Sequence, residues 1–153
     1  MKEKKKYYMG HPFDSRFKMR EWELEIEKEL DIEIINPFFD VERDDREVID
    51  EKDVTLDTQA TRKDRYGLSD EECEELVGRD VDLIAESDGM ITIIDGSLSY
   101  GTIQEMVYAF EIHKKLVYSV ISNGHIGHPW LRRHSTKTFE TLEQLTEFLR
   151  GGA

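Results

Sequence analysis

Two six-residue runs, Gly89–Ile94 and Leu116–Ile121, are apolar along nearly their whole length and too short to be buried helices. A strand with one wet face alternates polar and apolar residues, whereas a continuous apolar run has both faces covered. Between them Ile103, Met106, Val107 and Phe110 recur at helical spacing and would bury one side of a helix opened by Thr102. Parallel strands need such a crossover, and helices are what cover both faces of a parallel sheet. This pattern restricts the chain to α/β architectures.

The remaining segments extend the same plan. Residues 5–9 read as a strand that stops at Gly10-His11-Pro12, and Ile32–Ile35 as another closed by Asn36-Pro37. Between these two, residues 21–27 alternate like a strand, while Met19, Trp22, Ile26 and Leu30 are spaced like a helix. Glu is a good helix former and is depleted in strands, and Asp14 or Ser15 offers an N-cap, so a helix over 16–30 is expected. Ser69 and Glu72 form a capping box opening a helix to about Glu86. After a loop from Ser122 to Lys137, Thr138-Phe139 is read as a short edge strand, and Thr141 caps a last helix carrying Leu142, Leu145, Phe148 and Leu149. The order β-α-β-loop-α-β-α-β-β-α predicts a three-layer α/β sandwich with a flavodoxin-like parallel sheet flanked by helices. At 153 residues the chain, 1–153, is expected to be a single domain. The polar stretch from Phe38 to about Gly67, with one helical turn near 45–51, is long for a connector, and its acidic part, Asp40 to Gly67, is expected to lie over a pocket mouth and to order on ligand binding.

Composition narrows the function classes. Thirty-four acidic against 21 basic residues leave a formal charge of −13, which repels phosphate backbones and anionic membranes. The acidic windows 21–33, 40–57 and 70–88 read mainly as solvated faces. One cysteine, Cys73, excludes an intramolecular disulfide. Tyr7 to Met9 is too short for a signal-peptide apolar region, and no run approaches the roughly 18 apolar residues of a spanning helix. A soluble cytoplasmic protein is the expectation.

In this architecture ligands sit beyond the carboxyl ends of the strands. Glu105 lies three residues after Thr102, so Thr102-x-x-Glu105 reads as a second capping box, yet a carboxylate at a helix N-terminus in that crevice also suits a nucleophile. Asp80 reads on spacing alone as a surface aspartate, and Asp95 as the cap of the loop Gly96 to Gly101, in which Ser99 and Tyr100 could face a ligand. His125, His128 and His134 lack accompanying carboxylate or cysteine ligands, so no metal site is expected; Trp130 and Leu131 are read as anchoring that loop to the core or to a neighbouring subunit. The glycines form neither a dinucleotide fingerprint nor a phosphate-binding P-loop.

Tyr8-Met9-Gly10-His11-Pro12-Phe13, Ile34-Ile35-Asn36-Pro37-Phe38, Arg79-Asp80 before Ser87-Asp88-Gly89, and above all Ser99-Tyr100-Gly101-Thr102-Ile103-Gln104-Glu105 with Tyr108-Ala109 resemble the nucleoside 2-deoxyribosyltransferase family. The similarity runs from Tyr8 to Leu149. It implies N-glycosidic cleavage and deoxyribosyl transfer between nucleobases on a flavodoxin-like fold, in a homodimer or larger assembly, with no metal or organic cofactor. By the same resemblance Glu105 is the nucleophile toward C1′, Asp80 handles the proton of the departing base, and Tyr8 orients the nucleophile. Gly10, His11, Phe13, Arg16, Asp95, Ser99, Gly101 and Asn123 become candidate substrate contacts, Arg16 with the Gly10 loop for a 5′-phosphate. Partners would be a deoxynucleoside or deoxynucleotide and a free nucleobase. Ser99 stands where the family often carries an aspartate, which leaves base preference open. Two other readings stand beside transfer: hydrolysis of deoxynucleosides or their 5′-monophosphates, and a non-catalytic nucleotide-binding module. A receiver-like module would need an acidic pair after the first strand, where Gly10-His11-Pro12 stands.

Overall fold

The computed structural model describes residues 3–12, 15–37, 39, 69–96, 99–122 and 124–152. Five strands, β1 (Lys5–Gly10), β2 (Ile32–Ile35), β3 (Gly89–Ile94), β4 (Leu116–Ile121) and β5 (Lys137–Phe139), form one parallel sheet in the order β2-β1-β3-β4-β5. Helices α1 (Arg16–Glu29), α2 (Asp70–Glu86), α3 (Tyr100–Val107), α4 (Pro129–Arg133) and α5 (Leu142–Arg150) complete a flavodoxin-like three-layer sandwich. Apart from Phe39, the stretch 38–67 and the turn expected near 45–51 lie outside the described residues. Among the described residues no helix is long and apolar enough to cross a membrane.

The pleat divides the core in two. Tyr7, Met9, Ile91, Ile93, Tyr118 and Val120 point to one side and pack on Met19 and Ile26 of α1 and Leu145 and Leu149 of α5. Tyr8, Met90, Val117 and Ile121 point to the other, against Ile84 of α2, Met106 of α3 and Leu131 of α4. Burying each such aliphatic side chain contributes about 1.5–3 kcal/mol, and successive strand residues supply both cores, which is why these strands read as continuous apolar runs.

Residues 21–27 are helical, as Glu propensity and the Met19, Trp22, Ile26 spacing require. Glu23, however, is not on a solvated face: it is fully buried. Ser15 stands at the N-cap of α1 without a side-chain capping bond, because its hydroxyl donates to Asp95 instead. The Ser69–Glu72 capping box forms in both directions, the Glu72 carboxylate accepting from the Ser69 N–H at 2.7 Å and the Ser69 hydroxyl from the Glu72 N–H at 3.2 Å.

Two local readings are corrected. Helix α3 starts at Tyr100, and its cap is Ser99, whose hydroxyl accepts from the Thr102 N–H at 3.3 Å. Thr102 therefore lies inside the helix, and the expected Thr102–Glu105 capping box does not form. Serine one turn earlier caps equally well and leaves the Thr102 side chain to the interior, where it is buried. The segment 122–137 is also not all loop: Pro129 at the first position of α4 pre-sets a helical φ. Leu131 anchors α4 in the core, while Trp130 remains 69% exposed and stacks on His134. A π-helical turn, Tyr108–Ile112, continues α3.

Candidate active site

With β2 and β3 on opposite sides of β1, the connections diverge at the carboxyl ends of β1 and β3, a topological switch point where sandwiches of this kind bind ligands. A cavity of about 490 Å³ opens there. Met9, Gly10 and His11 bring the end of β1 to it, and Pro37 follows β2. Leu76, Val77, Arg79, Asp80 and Val81 give it a wall from α2, while Ser99, Gly101, Thr102, Gln104, Glu105 and Tyr108 come from α3 and its flanks.

Glu105 is held from behind by Tyr8, whose phenol donates to Glu105 Oε2. Tyr8 is fully buried on β1, a strand paired on both sides by β2 and β3. Burial, then the charges of Glu105 and Asp80, push the Tyr8 phenol far above its ordinary range, so it remains a protonated donor at any physiological pH. Gly101 lies beside the other carboxylate oxygen: a Cβ there would stand 3.8 Å from Glu105 Oε1, in ordinary van der Waals contact. At Gly10 a Cβ would collide with the end of the Met90 side chain and approach Thr102 Cγ2 to 3.6 Å, so glycine lets β1 end close against β3 and α3. Asp80 is partly buried on α2, with the Arg79 guanidinium 3.1 Å from its Oδ1. A fixed carboxylate, a second carboxyl group and an apolar wall from α2 suit a reaction in which a cation develops on the substrate beside a leaving group that needs a proton.

The structure thus brings Glu105, Asp80, Gly10, His11, Ser99 and Gly101 to one cavity, with Tyr8 directly behind Glu105. Asp95 and Arg16 do not line it. Both act electrostatically on His11 from outside, and Asp95 lines a smaller neighbouring cleft of about 250 Å³. Phe13 and Asn123 lie outside the described residues. Among the described residues no group of three or more His, Cys, Asp or Glu is placed to hold a metal ion.

Sequence reasoning missed the polar layer beneath the cavity. Asn36 donates from Nδ2 to Glu23 Oε1 at 2.7 Å and contacts His11 Nε2 at 2.8 Å, and Arg20 pairs with Glu23 at 3.2 Å. All four residues are buried. The sequence signal for Glu23 was weak, since its regular acidic neighbours in 21–27 hide the one carboxylate that faces inward. The apolar wall, Leu76, Val77 and Val81, was also unread, because acidic residues crowd the same helix.

Fold and cavity together define an α/β sandwich with a tyrosine-held carboxylate at its switch point. Among the solved structures that share this fold are two that span nearly the whole chain. One is BcmB, a CMP N-glycosidase from Clostridium botulinum, 16% identical, with a TM-score of 0.57 over 97% of this chain and 100% of that one. The other is a conserved protein from Enterococcus faecalis V583, 14% identical, with a TM-score of 0.61 over 98% of this chain and 99% of that one. No family model matches the chain, and no curated protein matches its sequence.

Proposed function

We propose that this protein cleaves the N-glycosidic bond of a nucleoside or nucleotide through a covalent intermediate on Glu105. The observation that carries the reading is the Tyr8–Glu105 hydrogen bond facing a cavity that Asp80 also lines. A Glu105 oxygen attacks C1′ as the C1′–N bond breaks, and the bonding pair leaves with the base. Asp80 supplies the proton the departing base requires. Positive charge building at C1′ is stabilised by the Glu105 carboxylate, which Tyr8 orients without competing for the proton. The glycosyl–Glu105 ester is then opened at C1′ either by a second nucleobase, giving deoxyribosyl transfer, or by water, giving hydrolysis.

Transfer follows from the motif resemblance. Hydrolysis of a nucleotide is supported by the shared fold with BcmB, named a CMP N-glycosidase. Incubation with a panel of deoxynucleosides, ribonucleosides and their 5′-monophosphates, with and without free adenine or cytosine, separates the two by chromatography. New nucleosides only when a base is added mean transfer; free sugar or sugar phosphate in both arms means hydrolysis. An intact substrate panel would reject the reading. Single-domain organisation and assembly into a homodimer or larger oligomer belong to the same proposal, and light scattering of an active sample tests the latter.

A further inference from the structure

The buried layer under the cavity has a logic of its own. Glu23 is paired with Arg20, and a carboxylate so paired can only accept hydrogen bonds. Asn36 must therefore turn its NH₂ group, not its carbonyl, toward Glu23 Oε1, 2.7 Å away. The second hydrogen of that NH₂ group points at His11 Nε2, 2.8 Å away. Nε2 must then carry a lone pair, which puts the ring proton on Nδ1, where it is donated to the Pro12 carbonyl at 2.8 Å. Each step follows from donor and acceptor counts, and together they fix the tautomer of a histidine that lines the cavity.

We propose that Glu23 is a positioning residue which, acting through Asn36, holds His11 in a single Nδ1–H tautomer and orientation in the cavity wall. This deepens the N-glycosidic reading and rests on it only for its kinetic consequence. An imidazolium in the wall would place a fixed cation beside the cation developing at C1′, opposing the transition state, whereas the Nδ1–H imidazole is neutral. The surroundings of His11 act in the same sense. Burial lowers its pKa and Arg16 on α1 adds to this, outweighing the hydrogen bond to Pro12 and the charge of Asp95 at the end of β3, which raise it; the N–H that Asn36 donates to Nε2 is made only to the neutral ring and so favours it. Asp80 on α2 and Glu105 on α3 face the same cavity.

Glu23→Gln tests the chain of donors. The new amide gives its oxygen to Arg20 and its NH₂ to Asn36; Asn36 turns its carbonyl to Gln and to His11 alike; and His11 is then satisfied when protonated, with Nδ1–H on Pro12 and Nε2–H on Asn36. Long-range ¹H–¹⁵N spectra of the full chain read this directly, the His11 signal being assigned by its loss in His11→Gln. The expected wild-type result is a protonated Nδ1 and an unprotonated Nε2 that persist below the ordinary histidine pKa of about 6.5. In Glu23→Gln the His11 titration is expected to rise by on the order of one pH unit, with the acid limb of kcat/KM rising alongside it. A Glu23 that served only to hold the fold together would lower the melting temperature and leave tautomer and pH profile unmoved.

Asn36→Asp, which also presents an acceptor to Nε2, is the second variant and should raise the titration similarly. A folded variant of either kind whose His11 keeps the wild-type tautomer and titration overturns the proposal. So does a wild-type His11 with its proton on Nε2, which needs no variant at all. The spectra decide the matter whether or not any nucleoside is cleaved, so failure of the glycosidic reading and failure of this one are distinguishable.

Discussion

Replacing Glu105 by Gln separates chemistry from stability more cleanly than the sequence alone suggested. The helix cap is Ser99, so the substitution leaves the N-terminus of α3 intact. Tyr8 can still donate to the amide oxygen of Gln, but a bond to a charged acceptor, worth about 1.5–3 kcal/mol, becomes a neutral one worth about 0.5–1.5. The net cost is on the order of 1 kcal/mol, a fall in melting temperature of about 2–4 °C for a chain of this size. Turnover should respond on another scale. Loss of one electrostatic contact to a transition state costs about 10²–10³ in kcat, and here the nucleophile goes with it, so a fall of at least about 10³, or roughly 4 kcal/mol, is expected. The assay is single-turnover cleavage with acid quenching: the wild type should carry the sugar mass on the peptide containing Glu105, and the variant should not. A Gln variant within about tenfold of wild-type kcat, with its melting temperature shifted as above, would refute the assignment of Glu105 as nucleophile.

Tyr8→Phe removes the donor behind the carboxylate while keeping the ring, so kcat should fall by about 10- to 100-fold with KM little changed, as steady-state kinetics would show. Ser99→Ala deletes the true cap of α3 and should cost about 0.5–2 kcal/mol in urea unfolding; a Ser99→Ala protein as stable as wild type would show that the cap contributes nothing. Because His11 has a lowered pKa in the folded state, the unfolded chain binds more protons below about pH 6.5, and stability is lost as pH falls through that value. Urea midpoints between pH 7 and 5 should therefore decline, by up to about 1.4 kcal/mol per pH unit from this residue, and His11→Gln should flatten the decline.

Elements with a strong period were legible in the sequence. The doubly buried strands β3 and β4 and the Ser69–Glu72 box each carry a local signal that tertiary structure had no reason to override. The cap of α3 was misread because Ser99 and Thr102 are both good caps three residues apart, and only packing, which draws Thr102 inward, chooses between them. Helix α4 has five residues, too few to show a period. At the site, Glu105 and Asp80 carried a signal through their motifs, but nothing in Glu21–Glu27 marks Glu23 as the inward carboxylate. That depends on where Asn36 arrives from β2, a long-range fact. Arg16 and Asp95 looked like cavity residues from their place at strand ends, but both stand beside His11 outside the lining.

Helix α2 is held in the core by one fully buried side chain, Ile84, yet it presents Leu76, Val77 and Val81 to the cavity. This side of the cavity is thus set apart from the packed cluster that holds Tyr8. Val77 is 56% exposed, and substitution there should cost little stability, as at exposed positions generally. If the proposed function holds, positions 76, 77 and 81 are the natural ones to randomise in laboratory evolution, with a change of base preference as the expected outcome and Glu105 left in place.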